Sequence, residues 1–279
     1  MGKVRTIKRS GSRFYVHPDR ADVTVPGVTS IIDMLPKPFL PFWSAKMSAE
    51  LAVDSFDFLS RMAERDRQGA IDYLKGASRR YTAIRAAIGS DAHDLFERMA
   101  RGEQVGSVHP DMEPYRRGFA EFLKVVNPEL IRAEDVAWSD RYDYAGSFDA
   151  WLRVWVDADG KVTPDRSGEP LLLVTDWKTS KDVHAEVALQ LSAYAHADRV
   201  VSAAGESIPM PEFDGGAVLH ITPDGWTFRP VRIDGEVFDM FLNLRKVFMW
   251  DRELSKTVLG RALAKSVGRL VTGTQRRAK

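Results

Sequence analysis

The hydrophobic period of this chain changes near residue 131, from the three-to-four-residue spacing of amphipathic helices to the alternation of strands. Upstream, Arg13–Val16 and Val23–Val25 read as a short hairpin with Pro26-Gly27 as a turn, and Thr29 or Ser30 is placed to cap a helix through Leu35. The Pro36/Pro38/Pro41 cluster breaks that helix. Helical spacing resumes over Phe42–Phe58 and over segments 60–75, 77–88 and 90–101, and a further helix over Pro114–Val126 ends at Asn127-Pro128. Downstream, strands are expected at Arg132–Ser139, Tyr144–Val156 and Leu171–Thr179. A helix over Val183–Ala204, strands at Gly216–Ile221 and Trp226–Ile233 and a helix over Val237–Trp250 follow. This order predicts an α/β core behind a helical N-terminal part, with no internal repeat.

The 279 residues, 44% apolar with seven Trp and fourteen Phe, suffice for a full core. The longest uninterrupted apolar runs are a few residues, such as Leu171–Val174, and no apolar segment follows the basic N-terminus, so neither a membrane span nor a signal peptide is expected. Cysteine is absent, which removes disulfides, thiolate zinc sites, iron–sulfur clusters and cysteine nucleophiles together, and the expected location is the cytoplasm. The net charge of +1 hides a division: the first eighteen residues carry +5, Gly260–Lys279 carry +6, and the middle carries −10. Such ends suit either arms that reach a polyanion or plainly solvated termini.

The chemistry gathers at Asp176-Trp177-Lys178, where the apolar run Leu171–Thr175 ends. Residues two apart in a strand share a face, so Asp176 and Lys178 project together while Trp177 points away. A carboxylate can ligate a hard cation, and an ammonium beside it can meet a water or a phosphate oxygen. Chance predicts about two acid-x-Lys triplets in this composition, and two occur, so the triplet alone is weak. The other, Asp159-Gly160-Lys161, lies in a polar turn. Company strengthens the first. Gly146-x-x-Asp149 lies on the preceding long strand, with Phe148, Ala150, Leu152, Val154 and Val156 expected to form one apolar face and Asp149 the opposite one. His93 lies beside the buried stripe Ala92, Leu95, Phe96 and Met99, with Glu97 one turn on. Gln190 and Tyr194 share a helix face at i, i+4.

Gly89-x-x-x-His93, Glu134, Gly146-x-x-Asp149, Asp176-x-Lys178-Thr179 and Gln190-x-x-x-Tyr194, in that order, resemble the PD-(D/E)XK nuclease superfamily and specifically its RecB-like exonuclease branch. The stretch from Val25-Pro26-Gly27-Val28 to Phe42-Trp43 also looks like the lead-in of phage-encoded members. The chain is similar to CRISPR-adaptation nucleases too, but those usually carry an iron–sulfur cluster on cysteines.

The resemblance implies a restriction-endonuclease-like core, a central mixed sheet flanked by helices, over residues 86–252. A hairpin and helical part over 1–85 would precede it and a basic tail over 253–279 would follow. It implies that His93, Asp149, Asp176 and the Trp177 carbonyl hold Mg²⁺ or Mn²⁺, that Lys178 orients the attacking water and stabilises charge on the phosphate, and that Glu134 is an accessory acid. Gln190 and Tyr194 would position the DNA strand and the lysine, and Thr179, Ser180 and Lys181 would touch backbone phosphates. The Asp149–Asp176 spacing exceeds the family's usual one, and an extended hairpin over Asp157–Pro170 would absorb the difference. Imidazole beside two carboxylates favours Mn²⁺ somewhat. The implied activity is exonucleolytic hydrolysis from DNA ends in phage recombination, replication or end processing, with a recombination or single-strand-binding protein as a candidate partner. An endonuclease or flap- or junction-specific enzyme, or a catalytically silent DNA-binding module, would use the same core. Arg261, Lys265 and Arg269, four residues apart, are placed to line a helical face against phosphates.

Overall fold

The computed structural model describes residues 4–265. An N-terminal sheet of β1 (Thr6–Arg9), β2 (Ser12–Val16) and β3 (Thr24–Pro26) leads into helices α1 (Val28–Ile32), α2 (Leu40–Asp54), α3 (Phe56–Arg65), α4 (Arg67–Lys75), α5 (Ala77–Ala100) and α6 (Glu113–Val126). Strands β4 (Glu129–Ala133), β5 (Val136–Ser139), β6 (Tyr144–Ser147), β7 (Ala150–Val156), β8 (Val162–Thr163) and β9 (Glu169–Lys178) follow. Helix α7 (Glu186–Ala195), strands β10 (Arg199–Val201), β11 (Ser207–Pro209), β12 (Gly215–Thr222) and β13 (Gly225–Val231), and helix α8 (Gly235–Arg252) come next.

The main sheet runs β13-β12-β9-β7-β4, with β8 paired to β7, and it is mixed: β9 and β12 are parallel and the other pairs antiparallel. Helices cover both faces of its central strands. Trp151, Val174 and Val218 pack with α1, α7 and α8, while Ala150, Leu152, Val154, Trp177 and Leu219 pack with α5 and α6. The protein is therefore α/β, a mixed sheet flanked by helices. An antiparallel sheet β11-β10-β5-β6 stands beside the main one and joins the N-terminal sheet through the Gly27–Ala145 bridge.

The two long strands expected before Asp157 are each broken, and the breaks lie side by side. The first divides into β4 and β5 at Glu134, whose φ of 59° turns the chain out of extended geometry, and the second divides into β6 and β7 at Phe148-Asp149. The Glu134 N–H donates to the Asp149 carbonyl and the Phe148 N–H to the Asp135 carbonyl, each at 3.2 Å. Each break carries the chain from one sheet to the other. In consequence Phe148 does not share a face with Ala150, Leu152 and Val154. It stacks on Trp151 at 4.9 Å, in the core that faces α7. Trp151 and Trp155 are also buried, so Arg153 alone opens the second face of β7 to solvent.

Other boundaries shift for tertiary reasons. Segments 77–88 and 90–101 form one helix, α5, which runs through Gly89 and across residue 85; burial of Ala92, Leu95 and Phe96 outweighs the roughly 1 kcal/mol that a mid-helix glycine costs. The helix expected to reach Ala204 stops at Ala195, because Arg199-Val200-Val201 pairs with β5 on one side and β11 on the other. Gly27, not Thr29 or Ser30, precedes α1; Ser30 is buried and its Oγ accepts the Arg13 N–H at 2.9 Å. The helix expected over Phe42–Phe58 parts at Ser55 into α2 and α3. Arg261 and Lys265 lie in irregular structure, so the expected helical face is not formed between them, and Arg269 lies outside the described residues. Among the described residues, no helix is long and apolar enough to cross a membrane.

Candidate active site

Strand β9 ends with the alternation its sequence dictates. Trp177 is fully buried toward α5 and α6, with its ring edge-on to Phe96, Phe119 and His93 at 6.0, 5.6 and 6.1 Å. Asp176 and Lys178 point toward α7, and Asp176 Oδ2 lies 2.7 Å from Lys178 Nζ. Gln190 locks the pair. Its Nε2 donates to Asp176 Oδ1 at 2.9 Å and to the Tyr194 hydroxyl at 3.1 Å, and its Oε1 accepts from Lys178 Nζ at 3.4 Å. One amide thus fixes a carboxylate, an ammonium and a phenol, and the i, i+4 placement on α7 accounts for its contact with the phenol.

Burial sets the electrostatics. Asp176 is 2% exposed, and burial, with Asp149 nearby, pushes its carboxyl up to about 6 against the pull of Lys178. Burial alone would lower Lys178, but Asp176 and Asp149 outweigh it and hold the ammonium above its ordinary range. The Tyr194 phenol is pushed well above its ordinary value, chiefly by burial, and stays protonated.

The facing strand breaks deliver the remaining groups. Asp149 Oδ2 accepts the Trp177 N–H at 2.6 Å, which ties the β6–β7 break to the end of β9, and its Oδ1 lies 3.4 Å from His93 Nδ1. Burial opposes ionisation of Asp149, yet His93, Lys178 and the Trp177 N–H together hold it below the usual carboxylate range. Burial likewise opposes protonation of His93, and the charge and hydrogen bond of Asp149 overcome it, raising the imidazole to about 8. Glu134 completes a trio: ligand atoms of His93, Glu134 and Asp149 lie within 4.8 Å of one another. They line a cavity of about 580 Å³ together with Arg13, Ser147 and Glu97.

One imidazole and two carboxylates, partly exposed and this close, form a donor set that a hard or borderline divalent cation fits. Among its side chains the set differs in one member from the expected one. Glu134, expected as an accessory acid, stands with His93 and Asp149, whereas Asp176 lies outside the trio, its Oδ1 bonded by Gln190 and its Oδ2 ion-paired with Lys178 but without a hydrogen bond. Glu134 sits at the left-handed break between β4 and β5, and a non-glycine residue in that conformation leaves no mark in the sequence. Thr179, Ser180 and Lys181 line a neighbouring cavity with Tyr81, Arg85 and Lys178; Ser180 Oγ donates to the Asp182 carbonyl at 2.7 Å, and the His220 ring lies 2.6 Å from the Ser180 carbonyl. The sequence did not single out Tyr81 or Arg85, and it placed Arg13 in the basic N-terminal hairpin without linking it to the site. Glu97 is held by Arg101 at 2.8 Å.

No protein-family model matches this chain, and no curated protein matches its sequence.

Proposed function

We propose that this protein is a divalent-metal-dependent deoxyribonuclease on a PD-(D/E)XK core, acting as an exonuclease on DNA ends in phage recombination, replication or end processing, in the cytoplasm of the host. The observation that carries the reading is the meeting of the Asp176/Lys178 pair, clamped by Gln190, with the His93/Glu134/Asp149 trio, tied through the 2.6 Å bond from the Trp177 N–H to Asp149. A phosphodiester is shielded by its own anionic oxygens, so hydrolysis needs an activated water and concentrated positive charge. His93, Glu134 and Asp149 would hold Mn²⁺ or Mg²⁺, with Asp176 and the Trp177 carbonyl as the further ligands of the family pattern. The bound cation would lower the pKa of a coordinated water and neutralise charge on the phosphate.

The protein's own groups divide the remaining work. Lys178 keeps its proton, so it acts as a hydrogen-bond donor and fixed positive charge rather than as a base. Asp149 stays ionised throughout the neutral range. Gln190 restrains the lysine from swinging away, and the protonated Tyr194 hydroxyl restrains Gln190.

The test is incubation of linear and circular DNA with Mn²⁺, comparing the wild type with Lys178→Ala and Asp149→Asn. Progressive loss of linear DNA, abolished in both variants, is the expected result. Nicking of circles would reassign the protein to the endonucleases, and binding without cleavage would make it a silent DNA-binding module.

A further inference from the structure

Beyond Lys178, on the α5 side, lies a cavity of about 460 Å³ whose lining differs from that of its neighbours. Arg85, Lys178, Lys181 and His93 line it, together with Tyr81, and no aspartate or glutamate does. The trio's own cavity contains Asp94, Glu97, Glu134 and Asp149, and the cavity on the α1 side contains Asp33, Asp182 and Glu186. On a body that is net acidic between its termini, this cleft is the approach along which a phosphodiester chain meets cations without facing carboxylates.

Its geometry is linear. Tyr81, Arg85, Gly89 and His93 follow one another at four-residue steps along a single ridge of α5, about 18 Å from end to end. At the far end the Tyr81 ring is packed edge-on by Trp43 of α2, with centroids 6.0 Å apart, and is still 49% exposed. A large aromatic ring held in place but half open to solvent, beside Arg85 and Lys181 that make no ion pair among the described residues, is what a nucleotide platform requires.

We propose that this cleft is a track for a single strand of DNA, in which Tyr81 stacks on a base while Arg85 and Lys181 hold the flanking phosphates, leading that strand to the His93/Glu134/Asp149 trio. The proposal rests on the nuclease reading and adds to it the preferred substrate form. A base inside a duplex is stacked on both sides and has no face to offer, so the track favours unpaired DNA over paired.

The experiment uses the full chain in EDTA, so that nothing is cleaved, and a short oligodeoxynucleotide carrying 2-aminopurine, either single-stranded or annealed to its complement. Binding is followed by anisotropy, and stacking by quenching of the 2-aminopurine. The single strand should bind more tightly than the duplex and be quenched. Tyr81→Ala should weaken binding about 5- to 150-fold and abolish the quenching, and Tyr81→Phe should retain both. Arg85→Ala should flatten the dependence of log K on log salt by about 0.7, the loss of one phosphate contact to a single strand. Unchanged affinity and quenching in Tyr81→Ala, or equal binding of blunt duplex, would overturn the track while leaving the nuclease reading intact. Failure of the wild type to bind either form, together with failure to degrade DNA in Mn²⁺, would overturn both.

Discussion

Gly146 ties the packing of the molecule to its site, and replacing it with alanine is a sharp test. A Cβ at this position would stand 2.6 Å from Tyr194 Cε1 and 2.9 and 3.0 Å from Cγ2 and Cβ of Val28. These separations are roughly 0.5–1 Å short of ordinary carbon–carbon contact. Both neighbours are buried, Tyr194 on α7 and Val28 on α1, so neither can swing into solvent. Overpacking of this kind costs about 1–3 kcal/mol. With an unfolding entropy of roughly 2.1 cal/mol/K per residue, that corresponds to a fall in Tm of about 2–5 °C. The displacement has a second consequence, because Tyr194 is linked to Gln190 at 3.1 Å and Gln190 carries Asp176 and Lys178. A shift near 1 Å at the tyrosine should reach the lysine and lower the cleavage rate, by up to about 100-fold. Scanning calorimetry and the initial rate of nucleotide release in Mn²⁺ measure the two effects separately, with Gly106→Ala, whose added Cβ meets nothing within 4 Å, as the control. A Gly146→Ala protein with the parent's Tm and rate would refute the packing argument. A lowered Tm with an unchanged rate would refute the link from Tyr194 through Gln190 to Lys178.

Lys178→Met removes the cation beside the buried Asp176 and should destabilise the protein by about 3 kcal/mol, read from urea denaturation. The folded-state pKa of Asp176 lies above its unfolded value, so ionising it costs stability as pH rises from about 4 to about 6; in the variant this loss should extend into the neutral range, visible in Tm against pH. Glu134→Gln should weaken Mn²⁺ binding about 10- to 100-fold by titration calorimetry, as removal of a ligand or its close support does, and an unchanged affinity would remove Glu134 from the trio. Because His93 keeps its proton up to about pH 8, a cation must displace it: apparent Mn²⁺ affinity should rise about tenfold per pH unit below that value and level off above it. A flat profile from pH 6.5 to 9 would show that His93 is not a ligand.

The α/β class, the end of β9 and the pairing of Gln190 with Tyr194 are legible in the amino-acid order, because each rests on a local period that needs no distant partner. Asp176 and Lys178 share a face because strand geometry alternates, and Gln190 and Tyr194 share one because a helix turns every 3.6 residues. Where the chain leaves one sheet for another depends on long-range pairing. The breaks at Glu134 and Phe148-Asp149 sit inside runs that alternate as strands, and only their mutual hydrogen bonds and the two separate sheets they feed explain them. The β-branched pair Val200-Val201 reads as helix until β5 and β11 offer it ladders. The composition of the trio was hidden for the same reason. A ligand set depends on which side chains long-range pairing brings within a few ångströms, and Glu134 joins His93 and Asp149 through a left-handed backbone that no spacing announces.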